Sequence, residues 1–318
     1  MKILILTEAG EGIGFGHYTR CQAIQQEMLA KQIQAEMLLN VKGDQHFEVI
    51  GSINNWLEKP TILSSKTDVD LVLIDSYLAE NSFFKDHLSH NFKRVAVLDD
   101  YMRLEYDVDL VVNPNVYYNP IDYTERSIGG KDFVILREPF RRVLNAFPLR
   151  KSVQHILISL GGSDIRNLLP EMVRWTASIE TQRVTIIDPE SSIKESQNGR
   201  INILGKQNAE EMFSLYRDAD IVISACGQTL HELACMGKAT IGICLDIDQE
   251  KNQQYYYQKQ FLLTQLKWDM PNLLNSISAT YEKTASYEKR QVLQVVGPKL
   301  INKKGISNLV NCLIDLSC

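Results

Sequence analysis

"MKILILTEAGEGIGFGHYTRC", residues 1–21, takes a short aliphatic run into alternating glycines and then into a histidine. The aliphatic run Ile3–Leu6 predicts a buried strand, and the segment Tyr18–Lys31 carries an apolar stripe at helical spacing. A strand, a glycine-rich turn and a helix in this order are typical of the start of a nucleotide-binding α/β domain. This stretch therefore predicts the fold class of the chain.

The same alternation of aliphatic runs and helical segments continues through most of the sequence. The runs are rich in leucine or β-branched residues and lack polar alternation, which predicts strands covered on both faces. They are Ile3–Leu6, Leu71–Ile74, Val95–Leu98, Leu110–Val112, Phe133–Leu136, Ile156–Ser159, Val184–Ile187, Ile221–Ser224 and Ala239–Ile243. Strands that alternate with helices predict parallel sheets with right-handed crossovers.

The α/β pattern restarts near the middle of the chain. Residues 137–152, "REPFRRVLNAFPLRKS", are basic, contain two prolines and precede a new aliphatic run. Because 318 residues exceed the usual size of one hydrophobic core, we expect two Rossmann-like domains, 1–150 and 151–318. Their parallel sheets are expected to face a central cleft. The domain in which the helical segment after Gly305 packs stays open.

Composition excludes several classes of protein. A net charge of −5 without a basic stripe argues against nucleic-acid binding. No apolar run is long enough to span a membrane, and the N-terminal run is too short for a signal peptide. The six cysteines lack CxxC spacing, which favours reduced thiols and a cytoplasmic protein. We expect neither a metal site nor a cofactor.

The first glycine-rich loop differs from the known phosphate-binding motifs. Four glycines at alternate positions precede His17, namely Gly10, Gly12, Gly14 and Gly16. This spacing fits neither the dinucleotide fingerprint nor the P-loop. The glycines let the backbone approach a ligand closely, and a helix that starts near the histidine offers N–H groups to a phosphate. The alternative is a flexible turn in which the histidine is only a polar residue at a helix start.

The second half of the chain has a similar loop in Leu160–Asp164, "LGGSD". Gly161 and Gly162 permit a close approach of a ligand to the backbone. Ser163 or Asp164 either caps the following helix or contacts the ligand, and the sequence leaves both possibilities open.

A longer segment, "ISACGQTLHELACMGKATIGI" (223–243), predicts a strand, a turn at Gly227 and a helix headed by Thr229. We expect Glu232 in the first turn of that helix. Its carboxylate either stabilises the helix N-terminus or accepts hydrogen bonds from a ribose held there.

Taken together, the two halves and their loops resemble the GT-B fold of nucleotide-sugar enzymes. Over most of its length the chain resembles the UDP-2,4-diacetamido-2,4,6-trideoxy-β-L-altropyranose hydrolases of pseudaminic acid biosynthesis. The matching segments are IGFGHYTRC (13–21), LIDSY (73–77), LDD (98–100), VVNPN (111–115), VILREPF (134–140), ISLGGSDIRNL (158–168), ISACGQTLHELACMGK (223–238), NQ (252–253) and KKG (303–305).

This resemblance implies the roles of individual residues. It makes His17 the general base and places Tyr77 in the active site, with the sugar and the catalytic groups in the first domain and UDP on the second. The implied substrate-binding residues are Gly14, Gly16, Asp99, Gly161, Gly162, Ser163, Gly227, Gln228, Thr229, Glu232, Asn252 and Gln253. If the base were not the histidine, Asp99 would be the next candidate.

The resemblance also implies the reaction. Water attacks the anomeric carbon of a UDP-sugar and UDP departs without a metal. The chemistry suits the residues, because histidine titrates near neutral pH and helix N-termini stabilise a departing diphosphate. A GT-B glycosyltransferase of surface polysaccharide synthesis, with a sugar hydroxyl in place of water, is the alternative. A nucleotide-sugar binder without activity is a third hypothesis.

Overall fold

The computed structural model describes residues 1–10, 12–43, 52–123, 126–143, 145–179, 183–193 and 199–317. The chain forms two compact units. The first comprises Met1–Leu136 with Lys303–Cys318, and the second comprises Arg137–Asn302.

The units divide between Leu136 and Arg137, whereas the sequence predicted a boundary between residues 150 and 151. The basic segment that suggested a linker is part of the second unit, because its side chains pack there. The ring of Phe140 contacts Tyr216 at a centroid distance of 5.9 Å, and Arg137 is bonded to Glu232.

The first unit is built on a parallel sheet with the strand order β3-β2-β1-β4-β5-β6-β7. Its strands are β1 (Lys2–Gly10), β2 (Gln34–Lys42), β3 (Ser52–Ile53), β4 (Leu71–Asp75), β5 (Val95–Leu98), β6 (Leu110–Asn113) and β7 (Ser127–Gly129). The second unit has a parallel sheet with the order β10-β9-β8-β11-β12-β13. Its strands are β8 (His155–Ser159), β9 (Arg183–Ile187), β10 (Ile201–Leu204), β11 (Ile221–Ala225), β12 (Thr240–Cys244) and β13 (Leu266–Lys267).

Helices lie between strands in both units, as expected for parallel sheets, and among the described residues three more follow the last strand. The helices are α1 (Gly16–Ala30), α2 (Asn81–Phe83), α3 (Glu138–Arg141), α4 (Leu169–Thr176), α5 (Ala209–Asp218), α6 (Gln228–Met236), α7 (Glu250–Gln258), α8 (Leu273–Ala285), α9 (Tyr287–Val296) and α10 (Gly305–Ser317). In the described part of the chain, no helix combines the length and the apolar character that crossing a membrane requires.

Strand β1 shows why this unit folds around its N-terminus. It lies between β2 and β4, and its residues are buried from Ile3 to Gly10, so both faces need apolar side chains. On one face Ile3 and Ile5 pack with Ile24 of α1 and Leu309 of α10. On the other face the core contains the side chains Leu4, Leu6, Trp56 and Phe84.

One strand prediction was wrong. Phe133–Leu136 forms no strand: Phe133 lies in a turn and is half-buried, whereas Val134, Ile135 and Leu136 are buried. Gly305 lies so close that a Cβ there would sit 2.2 Å from the carbonyl oxygen of Val134. Strand β2 was missed from the predicted strands, because its residues Gln34 and Glu36 are polar and not buried, which leaves it with only a short apolar run.

Candidate active site

The loop after β1 is a tight turn closed by its own backbone. Gly10 and Gly14 exchange two N–H to carbonyl hydrogen bonds of 3.1 and 2.8 Å. Gly10 has φ +129° and approaches Lys42 so closely that a Cβ would lie 2.1 Å from its carbonyl oxygen. A Cβ on Gly16 would meet nothing within 4 Å. The fold therefore requires glycine at Gly10, whereas the open space beside Gly16 is available to a ligand.

Helix α1 begins at Gly16, next to the predicted start near His17. No side chain caps its N-terminus and no acidic residue lies in its first turn. The partial positive charge of the helix end is therefore not compensated by the helix itself. His17 lies in this first turn.

The His17 side chain is only 5% exposed and is bonded to the end of β4. Its Nδ1 lies 2.6 Å from Oδ1 of Asp75 and 3.2 Å from a guanidinium nitrogen of Arg20. Arginine has no acceptor and the carboxylate has no donor, so Nδ1 can satisfy only one of them. We assign the proton on Nδ1 to the shorter bond with Asp75. Nε2 then carries the lone pair that a general base needs.

The Asp75 carboxylate is shared between His17 and Arg20. The guanidinium donates from Nε to Oδ2 and from Nη2 to Oδ1, each at 2.6 Å. Burial alone would raise the pKa of Asp75, but the attraction of Arg20 and His17 outweighs it and holds that pKa well below its usual range. Asp75 is thus ionised when it orients the imidazole.

A second carboxylate, Asp100, extends the network. It accepts bonds from Nη1 of Arg20 at 2.7 and 2.8 Å, from the Tyr77 hydroxyl at 2.7 Å and from the Asn115 amide at 2.8 Å. Burial opposes ionisation here too, yet Arg20 lowers the pKa of Asp100 below its usual value. The Tyr77 ring contacts the His17 ring edge-on, with the two ring centroids 4.2 Å apart.

The structure brings His17 and Tyr77 together, and places Asp99 apart from them. The Asp99 carboxylate accepts the Arg103 backbone N–H at 3.1 Å and so caps the turn after β5. Burial, together with the neighbouring charge of Asp100, raises the pKa of Asp99. A role for Asp99 in binding substrate stays a prediction.

Four members of this network were not predicted: Asp75, Asp100, Arg20 and Asn115. Asp75 ends β4 in the segment LIDSY and Asp100 follows β5 in LDD, and a carboxylate at the end of a buried strand was a usable signal. Arg20 lies three residues after His17, a spacing that puts both side chains on one face of α1.

In the second unit, the loop after β8 contains Gly161, Gly162 and Ser163. Gly161 has φ +114°, in the region that favours glycine. Asp164 caps the next segment by accepting the N–H groups of two successive residues at 2.9 and 2.8 Å. Asp164 thus bonds the backbone at the start of α4, and a ligand contact in this loop stays a prediction.

The turn before α6 is held by a glutamine from the next connection. Oε1 of Gln249 accepts the backbone N–H of Cys226 at 3.1 Å and that of Leu245 at 3.2 Å. Gly227 is the N-cap of α6, no side chain caps this helix, and Gln228 and Thr229 form its first residues. A Cβ on Gly227 would approach only the Gln249 side chain, at 3.8 Å or more.

Glu232 lies in the second turn of α6, so the prediction of a first-turn position was wrong. The residue is fully buried, and each carboxylate oxygen accepts a 2.7 Å bond from Arg137. Burial opposes the charge on Arg137, but Glu232 raises the pKa of this guanidinium above its usual value. A bond from Glu232 to a ribose stays a prediction.

Asn252 and Gln253 are buried on α7. The Gln253 amide donates to the carbonyl of Gly242 at 3.2 Å and to that of Leu266 at 2.6 Å, so it ties α7 to two strands. Among the described residues, no group of three or more His, Cys, Asp or Glu side chains is arranged to hold a metal ion.

Comparison with known proteins identifies the architecture. Residues 155–267 match the glycosyltransferase family 28 C-terminal domain. The structure is similar to MurG of Acinetobacter baumannii, with a TM-score of 0.66 and 14% identity over 99% of this chain and 100% of that one. The chain has the GT-B fold. This confirms the predicted fold class.

Other proteins extend the comparison. The GT-B chain is 23% identical to the spore coat polysaccharide biosynthesis protein SpsG of Bacillus subtilis, over 99% of this chain and 98% of SpsG. It is also similar to the spinosyn rhamnosyltransferase SpnG complexed with thymidine diphosphate. That similarity has a TM-score of 0.59 and 9% identity over 98% of this chain and 99% of SpnG.

Proposed function

We propose that this protein breaks the anomeric C–O bond of a nucleotide sugar, with His17 deprotonating the hydroxyl that attacks the anomeric carbon. The observation that carries the proposal is the 2.6 Å contact of His17 Nδ1 with the buried carboxylate of Asp75. It leaves Nε2 as the acceptor and stabilises the imidazolium that forms when the proton is taken.

The charges around His17 support this role. Asp75 and Asp100 together carry two negative charges, and Arg20 carries one positive charge. The cluster is therefore neutral when the imidazole is protonated. Such an arrangement favours the transfer of a proton to His17 as the attacking oxygen bonds to carbon.

The second unit supplies groups for the departing nucleotide. Gly161 and Gly227 offer backbone that a diphosphate can approach, and α6 begins at the second of them. Backbone N–H groups at a helix start stabilise the negative charge that develops on the leaving group. A thymidine diphosphate in the similar protein SpnG supports a nucleoside diphosphate as the leaving group.

The attacking hydroxyl belongs to a second sugar if the protein is a glycosyltransferase. The match to a glycosyltransferase family domain and the relation to SpsG favour this form of the reaction, in polysaccharide biosynthesis. In this form, His17 passes the acceptor's proton to solvent after each turnover.

Water is the second candidate for the attacking group. The segments around His17 and Tyr77 resemble the hydrolases of pseudaminic acid biosynthesis, and this resemblance favours it. The substrate would then be UDP-2,4-diacetamido-2,4,6-trideoxy-β-L-altropyranose, and the products would be UDP and the free sugar.

Measurement of free UDP tests both forms. The protein is incubated with that UDP-sugar and with UDP-N-acetylglucosamine, each with and without a sugar acceptor and with and without a chelator. UDP released without an acceptor supports hydrolysis, and release that requires the acceptor supports transfer. Release abolished by the chelator would contradict a metal-free reaction. No release from either substrate under any condition would contradict the proposed function.

A further inference from the structure

Polar side chains form a buried row at the carboxyl end of the first sheet, on the face opposite α1. Leu4, Leu6, Val72 and Ile74 share one core, so the next residues with the same orientation are Glu8 on β1 and Ser76 after β4. Glu8 is fully buried, and no ion pair connects it to a cation among the described residues. A buried carboxylate is costly unless donors surround it.

The donors to Glu8 belong to the turn that carries Tyr77. Oε1 accepts the Tyr77 backbone N–H at 2.6 Å, and Oε2 accepts the Ser76 hydroxyl. The same hydroxyl oxygen accepts the N–H groups of Leu78 and Ala79 at 3.1 and 3.0 Å. The Glu8 carboxylate thus holds three N–H groups of this turn. It holds that of Tyr77 directly and those of Leu78 and Ala79 through the Ser76 hydroxyl.

The carbonyl groups of the same turn are held from the other side. Arg103 donates to the carbonyl of Ser76 at 3.3 Å and to that of Ala79. Arg103 is itself held by Asp99, which accepts its backbone N–H. The turn is therefore fixed through both its donors and its acceptors.

We propose that Glu8 is a positioning residue for Tyr77, and through Tyr77 for His17. The Tyr77 hydroxyl donates to Asp100 while its ring contacts the imidazole edge-on, so a shift of the turn moves both contacts. Glu8 lies behind the sheet and acts only through the turn. The kinetic part of this proposal rests on the proposed function, whereas the structural part does not.

A double-mutant cycle tests the kinetic part by UDP release. Glu8→Ala should lower kcat/KM about 100-fold, the cost of a displacement of about 1 Å at a catalytic site. Glu8→Gln should lower it less than about tenfold, because the amide oxygen still accepts the Tyr77 N–H. In a Tyr77→Ala background, Glu8→Ala should cost less than about threefold, because the residue that it positions is gone.

Glu58→Gln, at an exposed position, makes the same chemical change away from the turn and serves as the control. A full 100-fold loss in the Tyr77→Ala background, relative to the single variant, would overturn the proposal. Circular dichroism at the assay temperature verifies that every variant is folded.

Hydrogen exchange tests the structural part without substrate. The Tyr77 amide should exchange about tenfold faster in Glu8→Ala than in the unaltered protein, and at a nearly unchanged rate in Glu8→Gln. An unchanged rate in Glu8→Ala would overturn the role of Glu8 even if the protein releases UDP. Faster exchange in a protein that releases no UDP would support the positioning of Tyr77 and contradict only the proposed function.

Discussion

The carboxyl ends of the two sheets are built from the same kind of strand but carry different chemistry. In the first unit, two carboxylates, a guanidinium and an imidazole share hydrogen bonds of 2.6 to 2.8 Å. In the second unit, the loops present glycines and the uncapped start of α6. The charged groups of Arg137 and Glu232 in this unit are paired with each other.

In the proposed reaction, this difference corresponds to two separate tasks. A general base needs a carboxylate that orients its ring, and at the first sheet end Asp75 bonds Nδ1 of His17 at 2.6 Å. A diphosphate is already charged and needs donors at short range, which glycine backbone and helix starts provide. Two copies of one α/β architecture can thus divide acid–base chemistry from anion binding.

The largest expected effect is on the first sheet end. His17→Asn should lower turnover by about two to four orders of magnitude, because the attacking hydroxyl loses its base. UDP affinity, measured by calorimetry, should be unchanged, since the proposed diphosphate contacts belong to the second unit. His90→Asn, at an exposed histidine, is the matched control. Nearly normal turnover in His17→Asn would assign the base to another residue.

Glu232→Gln tests how far the buried ion pair with Arg137 stabilises the second unit. The change leaves the Arg137 guanidinium, which is one-quarter exposed, without its anionic partner, and should cost about 3–5 kcal/mol in the free energy of unfolding. Urea denaturation measures the loss. Glu210→Gln breaks an exposed pair with Arg142 and should cost less than about 1 kcal/mol. Full stability with a loss of UDP affinity would instead support a ribose contact.

Acid should lower the stability of the first unit by protonating Asp75 and Asp100. A carboxylate whose folded pKa is depressed stabilises the protein above its unfolded pKa, and that stability is lost as the pH falls through the folded value. Below about pH 4, each group should therefore remove up to about 1.4 kcal/mol per pH unit.

The contribution of Asp99 to stability depends on pH in the opposite direction. Its pKa is raised, so the stability that it contributes is lost as the pH rises through the folded value.

Urea denaturation at several pH values tests the contribution of Asp75. The loss of stability with falling pH should be shallower in Asp75→Asn than in the unaltered protein. An identical slope in this variant and the unaltered protein would contradict the role of Asp75.

The sequence predicted the fold better than the site, for a physical reason. Parallel strands are buried on both faces, so β1, β4 and β5 appear as aliphatic runs, whereas the partly polar β2 does not. The site depends on the strand order in the sheet. There β4 lies beside β1, although β2 and β3 come between them in the sequence.

Tertiary pairing explains the missed residues as well. His17 and Tyr77 were accessible through the glycine-rich loop and the family resemblance. Arg20 bonds Asp75 at a separation of 55 residues and Asp100 at 80, and no local pattern encodes such contacts. Arg137 was assigned to a linker because its segment is basic, contains two prolines and precedes a new aliphatic run, although Glu232 bonds it within the second unit.

The smallest expected effect tests whether the glycines of the second unit serve a ligand. Gly227 has a negative φ of −85°, and a Cβ would approach only the Gln249 side chain at ordinary contact distance. Gly227→Ala should therefore fold normally. If a diphosphate passes close to this backbone, the added methyl group should raise KM for the nucleotide sugar about tenfold at unchanged kcat, since it weakens binding without touching the base.

Gly205→Ala is the control for Gly227→Ala, since a Cβ there meets nothing within 4 Å and the residue is exposed. Steady-state kinetics of both variants give the comparison. An unchanged KM in Gly227→Ala would show that this turn does not contact the nucleotide. The glycine would then serve only the junction of β11 and α6, and the division of tasks between the two sheet ends would have to rest on the loop at Gly161.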